Sequence, residues 1–452
     1  MTTETKDSGV KWIGTVPSDW EINKIKYIAV LKGRIGWQGL TSDEYTDEGA
    51  YLITGVDFEN GGINWDSCVH VPMRRWEEAR DIQIEDGDLL ITKDGTIGKV
   101  AIVSGCTAPT SLNSGVLRIS TIDGYDRRFL YWVLQSDVFW TWFADKNAGN
   151  STIQHLYQGD FAEFKYAIPP IDEQRAIATF LDTECAKIDS IINDLERQII
   201  LLQKYRKSMI TKAVTKGIDD SVKLKESGIS WMGCIPANWN LTRLKYIAEL
   251  LNGDRSDNYP NADDLVDEGI VFIASNNIHD LTVNTTSSNC KYISEEKYNL
   301  LRGAKLRIND IVYCLRGSVG MCAINKSEAE GAIASSLVVI RSKDINADYL
   351  NYYLQSCYND FLTDLYTNGS CAANLSAEDV STYHVTIPPI DEQNEIVKFL
   401  DIKCRQINAV VSDKQVQLNK ILNHKQSLIY EYVTGKKTSK GGHKPCRLEQ
   451  TN

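Results

Sequence analysis

The seven-residue word IPPIDEQ stands at Ile168–Gln174 and again at Ile387–Gln393, 219 residues further on (168 to 387) in a chain of 452. Self-similarity at a fixed period constrains a fold more than local propensity does, because it divides the chain into copies of one unit. Other words recur at the same displacement. SGVKWIGTVPSDW at Ser8–Trp20 is answered by SGISWMGCIPANW at Ser227–Trp239, and IKYIA (25–29) by LKYIA (244–248). FLYWVLQS (129–136) is matched loosely by YLNYYLQS (349–356), one residue further on, and FLD follows each IPPIDEQ at 180–182 and 399–401. This period is far too long for a solenoid, so the chain is a tandem duplication of one module.

The agreement is uneven. The edges of the two halves match word for word, whereas the middles keep only their apolar alternation. LKGRIGWQGLTSDEY (31–45) faces LNGDRSDNYPNADDL (251–265), with little shared beyond Gly33 and Gly253. YLITGVDFENGGI (51–63) faces VFIASNNIHDLTV (271–283), apolar positions kept and polar ones changed. A retained framework with altered polar residues predicts two modules that present different faces to different targets.

Within IPPIDEQ the prolines fix φ and end a preceding extended segment. Asp172 and Asp391 are placed to cap a following helix, with Glu173 and Glu392 beside its N-terminal dipole. Behind the first word Leu181, Ile188, Leu195, Leu202 and Met209 stand seven apart, and Ile191, Ile192, Ile199 and Tyr205 widen the stripe. Behind the second, Leu400, Ile407, Ile421 and Leu428 keep the spacing, with Lys414 interrupting it and Val411 and Leu418 alongside. Sustained seven-residue spacing predicts a coiled-coil seam between two helices. Each would have about 40 residues and span on the order of 60 Å, with Lys414 snorkelling to solvent. The expected fold class is α/β (mixed α+β), two globular modules joined by two long helices. Its boundaries fall at 1–167 for the first module, 168–217 for its helix, 218–386 for the second module, 387–437 for its helix and 438–452 for a basic tail expected to be disordered. Two rigidly separated modules suit two half-sites of B-DNA a fixed number of base pairs apart.

Composition narrows the function. The net charge of −11 argues against nucleic acid, whose partners usually show a basic footprint, although net charge averages over unlike surfaces. There is no apolar run of the ~18 residues that suggest a membrane span, and no secretory pattern at the start, so a cytoplasmic chain with no membrane contact is expected. The eleven cysteines are scattered without a C-x-x-C pair and the six histidines have no metal-site spacing, which predicts reduced core thiols and no metal. DGTIGKV (94–100) is too short for a phosphate loop and lacks Ser or Thr after Lys99. Pro169–Pro170 is flanked by isoleucines rather than by the residues of an adenine-methylation motif, and EFK (163–165) has no Pro-Asp partner before it. The chain is expected to be non-catalytic.

From about Ser8 to Lys437 the chain resembles the DNA-specificity subunit of Type I restriction–modification enzymes. The words that carry this are WIGTVPSDWEINKIKYIA, GDLLITKDGTIGKVAIV and GNSTIQHLYQGDFAEFKYAIPPIDEQ with the long helix behind it, and their second-half counterparts. The resemblance implies two target-recognition domains, each reading one half of a split double-stranded DNA site, with the helices paired antiparallel as a spacer. It implies two methylation subunits on this framework and restriction subunits that join them to cleave, in a bacterial or archaeal cytoplasm. S-adenosylmethionine, ATP and Mg belong to those partners, and this chain holds no cofactor.

Base edges and phosphates are met by Arg, Lys, Asn, Gln, Ser and Thr. In the first module the candidates are Arg34, Trp37 and Gln38, then Thr54 and Asp57. Lys93, Asp94 and Thr96 in the Gly-rich loop follow, with Asn150, Ser151, Thr152 and Gln154 before the last helix. In the second module they are Arg255, Ser256, Asn258 and Tyr259, then Asn276, Asn277 and His279, then Arg316 and Ser318, then Ser370 and Asn374. Trp12, Trp20, Trp231 and Trp239 are assigned to framework packing. A two-headed coiled-coil scaffold that joins proteins without nucleic acid stays open beside this reading, since the acidic balance suits it.

Overall fold

In the computed structural model the chain divides into two units, residues 1–195 with 417–452, and residues 196–416. The described residues are 4–34, 40–148, 154–279, 281–286, 290–367 and 374–437; the tail 438–452 lies outside them.

In the first unit a four-stranded antiparallel sheet has the order Val100–Ile102, Leu89–Thr92, Val116–Thr121, Ala29–Gly33. Leu89–Thr92 opens on three apolar residues and is buried at every position. Alternate side chains serve two cores, as strand geometry requires. Leu89 and Ile91 pack with Phe129, Leu130 and Val133 of the helix Arg127–Gln135, whereas Leu90 packs with Ile53 and Leu112 of a three-stranded sheet formed by Thr110–Leu112, Ala50–Ile53 and Val69–Val71.

The second unit repeats this plan. Ala248–Asn252, Leu337–Ser342, Ile311–Cys314 and Cys322–Ile324 are consecutive in a six-stranded sheet. Ile311 and Tyr313 face Tyr349, Leu350 and Tyr353 of the helix Ala347–Leu354, and Val312 and Cys314 face Ile273 and Ile333. Trp20 and Trp239 are almost wholly buried and Trp12 and Trp231 pack on the same cores, as framework tryptophans.

The long helices run Ile171–Lys216 and Ile390–Val433, with 46 and 44 residues. Each contributes a segment to both units, and within each unit the two segments run antiparallel. In the first, the Phe180 ring stacks on Tyr432 (4.4 Å) and Lys425 pairs with Asp189. In the second, Arg206 donates to Asn408 (2.6 Å) and Lys414 to Gln198. Leu181, Leu195, Leu400, Ile407 and Leu428 are buried, and Ile188, Leu202, Met209 and Ile421 half-buried. Two expectations change. Ile191 and Tyr205 are 47% and 60% exposed, because Cys185, Ile192 and Ile199 take the seam positions between the seven-residue markers. Lys414 reaches across to the other helix rather than only snorkelling into water.

Asp172 and Asp391 are also not caps. Each helix starts at the preceding isoleucine, so these aspartates sit in the first turn with Glu173 and Glu392, where they act on the dipole. The fastening residue of the word is its glutamine. Gln174 is buried, accepts from the Asp126 amide (2.8 Å) and donates to Pro169 O (2.8 Å). Gln393 does the same with the Asn346 amide (2.9 Å) and Pro388 O (2.9 Å). Asp126 and Asn346 in turn cap the helices Arg127–Gln135 and Ala347–Leu354. The aspartate of FLD is a second pin, since Asp182 accepts from the Trp132 indole (2.8 Å) and Asp401 from the Tyr352 hydroxyl (2.7 Å).

Gln174→Ala and Gln393→Ala each leave a buried amide and carbonyl unmet, and each is expected to cost about 1–3 kcal/mol in urea unfolding. Leu400→Ala, at a side chain with no exposure, is expected to cost about 2–5 kcal/mol by the same measurement.

Candidate nucleic-acid interface

In the first unit four loops meet at one edge of the sheets. Gly33 lies opposite Leu117, and Thr92 opposite Val116, so the segments following Gly33 and Thr92 leave from neighbouring strand ends. Hydrogen bonds tie the remaining loops to them. Lys93 N donates to Gly115 O (2.8 Å), Leu156 N to Lys93 O (3.0 Å) and the Thr96 hydroxyl to Gly55 O (3.0 Å). His155 Nδ1 lies 2.7 Å from Asp94 Oδ1. Gly98 is needed at this corner, because it has φ of 78° and an added Cβ would stand 2.5 Å from the Trp140 ring.

The second unit builds the same edge with other residues. Leu315 N donates to Ser336 O and Leu375 N to Leu315 O, both 2.9 Å. Arg316 and Asn374 form a backbone bridge. Arg255 Nη2 reaches Ser335 O at 3.4 Å.

The candidates predicted from sequence divide into three sets. Thr96, Gln154, Arg255, Asn276, Arg316, Ser318 and Asn374 are exposed, and Thr54, Lys93, Asp94, Ser256, Asn258 and Tyr259 half-buried, around these edges. Asn258 donates to Leu300 O (3.1 Å), and Tyr259 sits edge-on against Phe272. Arg34, Asp57 and Asn277 are buried and turned inward. Arg34 donates to Leu112 O (2.8 Å) and Ser111 Oγ (2.6 Å). The Asp57 carboxylate accepts from Thr54 N (2.7 Å), the Thr54 hydroxyl (2.8 Å) and the Ser67 hydroxyl (2.7 Å). Asn277 accepts from Ala274 N (2.9 Å) and closes the same turn in the other unit. These three shape loops from below, because their polar atoms are met by their own chain. Trp37, Gln38, Asn150, Ser151, Thr152 and Ser370 lie outside the described residues. The backbone of His279 lies in the strand Ile278–His279, paired with Thr282.

Sequence reading missed His155 and Lys99, both on the first edge. His155 adjoins a predicted residue, but only the fold brings it to Asp94. It also missed Asp254, which sits where Arg34 sits in the first unit, directly after the strand Ala248–Asn252 and its glycine. Asp254 is buried and accepts from Ser256 N and Arg302 N, both at 2.6 Å. Burial alone would raise its carboxyl, but the Ser256 hydroxyl and amide and the Arg302 and Gly303 amides outweigh that and hold it at about 2.

Among the described residues no group of three or more His, Cys, Asp or Glu could hold a metal, and no helix is long and apolar enough to cross a membrane. Nine cysteines are free in the described residues. Burial, with Asp57 nearby, pushes the Cys68 thiol up to about 12, and burial does the same to Cys314, so neither is a ready nucleophile.

Because the folded value of Asp254 lies below the ordinary ~3.9 of a free aspartate, its contribution is present above pH ~4 and lost as pH falls towards 2. The loop 253–259 is expected to keep its amide protection in hydrogen exchange down to pH ~4 and to lose it below. Asp254→Asn should show reduced protection at every pH.

Residues 17–201 and 236–420 each match the Type I restriction modification DNA specificity domain, and together they span most of the chain. A protein of Methanocaldococcus jannaschii with the provisional name type I restriction enzyme MjaX specificity subunit is 25% identical over 445 residues, covering 94% of this chain and 95% of that one. The type I restriction enzyme EcoBI specificity subunit of Escherichia coli is 26% identical over 362 residues, 78% of this chain and 74% of its own. A solved chain from work on complex assembly and conformational transition of the type I R-M system shares the fold, with TM-score 0.67 at 15% identity over 93% of this chain and 99% of that one. With two copies of the domain in tandem, the chain belongs to the Type I restriction modification DNA specificity family.

Proposed function

We propose that this chain is the sequence-specific DNA-binding subunit of a Type I restriction–modification complex. Each unit reads one half of a split double-stranded site, and the paired helices fix the gap between the halves. The observation that carries this is one loop edge built twice on the same framework with different solvent-facing side chains. Half-buried Asp94 with exposed Thr96 and Gln154 stand in one unit, and exposed Arg316, Ser318 and Asn374 in the other. A protein-joining scaffold has no need to vary matched loops while keeping their backbone. Two methylation subunits and the restriction subunits are the partners in this reading. The chain itself is non-catalytic and cytoplasmic, and S-adenosylmethionine, ATP and Mg are held by the partners.

The test is a map of methylated adenines in the host genome with this chain present and deleted. Deletion is expected to remove one motif of two short blocks separated by a fixed gap. An unchanged map, with the methylation subunit expressed and active, overturns the function. Binding of the assembled complex to that motif is expected to weaken linearly in log–log form as salt rises, with a slope of about −0.9 per phosphate contacted. A salt-independent affinity argues against DNA as the ligand.

A further inference from the structure

The loops after Leu89–Thr92 and Ile311–Cys314 are one backbone written with opposite chemistry. Gly95 and Gly98 take φ of 70° and 78°, and Gly317 and Gly320 take 76° and 85°. Between them Thr96 and Ile97 correspond to Ser318 and Val319. In both units the residue that opens the loop is clamped twice. Lys93 is held by Gly115 and Leu156, and Leu315 by Ser336 and Leu375. The clamp sets the next loop residue beside the residue preceding the clamping leucine. That juxtaposes Asp94 with His155, 2.7 Å apart, and Arg316 with Asn374, bridged through the backbone. Asp94 and His155 are half-exposed, and Arg316 and Asn374 exposed.

We propose that these two corners are the base-discriminating positions of the two units. The Asp94–His155 corner takes the exocyclic amine of cytosine or adenine, and the Arg316–Asn374 corner takes guanine. This rests on the DNA-reading function proposed above. With His155 as the neutral imidazole that donates Nδ1–H to Asp94, the corner offers Nε2 and a carboxylate oxygen, both acceptors. Two acceptors select a base edge that donates, the N4 amine of cytosine or the N6 amine of adenine in the major groove. Arg316 has five N–H donors and no acceptor, and its fork matches O6 and N7 of guanine. The features the loops share, two glycines, a hydroxyl and amides held by the clamp, carry no base information and serve to fix the loop's shape. Inverting donor and acceptor on an unchanged backbone is how one fold reads two unlike half-sites.

The test uses the whole chain assembled with its methylation subunits. Duplexes carrying the mapped motif, with each position replaced in turn, are methylated by the wild type and by Arg316→Ala, Arg316→Lys and Asp94→Asn. Arg316→Ala is expected to lower discrimination at one guanine of one block by about ten- to a hundred-fold, leaving the other block unchanged. Asp94→Asn does the converse, at a cytosine or adenine of the other block. Arg316→Lys retains part of the guanine preference, which a purely structural arginine gives no reason to expect. An unchanged position profile overturns the assignment, as does a loss of rate spread evenly over every position in the near-isosteric Asp94→Asn and in Arg316→Lys. A wild-type complex that methylates no split motif overturns the function itself, and the inference falls with it.

Discussion

A buried primary amide costs free energy unless its donors and its acceptor are met. Gln174 and Gln393 meet theirs with the backbone before their own helix and with the amide of the residue that caps a neighbouring helix. That geometry leaves little choice of direction. Once the glutamine is satisfied, the long helix leaves the module at a set angle, and about two turns later Asp182 or Asp401 finds the Trp132 indole or the Tyr352 hydroxyl. The repeated words IPPIDEQ and FLD are therefore the two pins of one joint.

The joint would be of little use if the helices could slide. An apolar seam of leucine and isoleucine tolerates a shift of one heptad far better than a seam that carries specific polar partners. Asp189–Lys425 in one unit, and Gln198–Lys414 and Arg206–Asn408 in the other, supply those partners. Their worth lies in register more than in stability, since such half-exposed pairs contribute little. Lys414, which interrupts the apolar stripe in the sequence, is thus one of the residues that makes the pairing single-valued.

Much of this was legible in the chain. The displacement of 219 residues and the seven-residue spacing establish two modules and two long helices, because a repeat and a period survive any detail of packing. The loop edges were legible in outline, since polar residues that differ between matched loops mark the surfaces free to differ. Which polar residue points outward was not. Arg34, Asp57 and Asn277 have the composition of ligand contacts, yet they close turns from within. Nothing local separates Arg34 from Arg316, because the distinction is made by Ser111 and Leu112, some eighty positions away in sequence. His155 was missed for the same reason, being a partner only through the clamp that brings Leu156 onto Lys93.

The acidic balance, which at first opposes a nucleic-acid partner, bears on how the work is divided. Sequence-independent affinity for a duplex scales with the number of phosphates neutralised. A chain with 60 acidic and 49 basic residues has few cations to spare, and those on the loop edges, Lys93, Lys99, Arg255 and Arg316, are few and dispersed between two units. Hydrogen bonds to base edges contribute discrimination without requiring net positive charge. In the function proposed above, a reader of this composition supplies discrimination through base edges and takes part of its phosphate contacts from the subunits assembled on it.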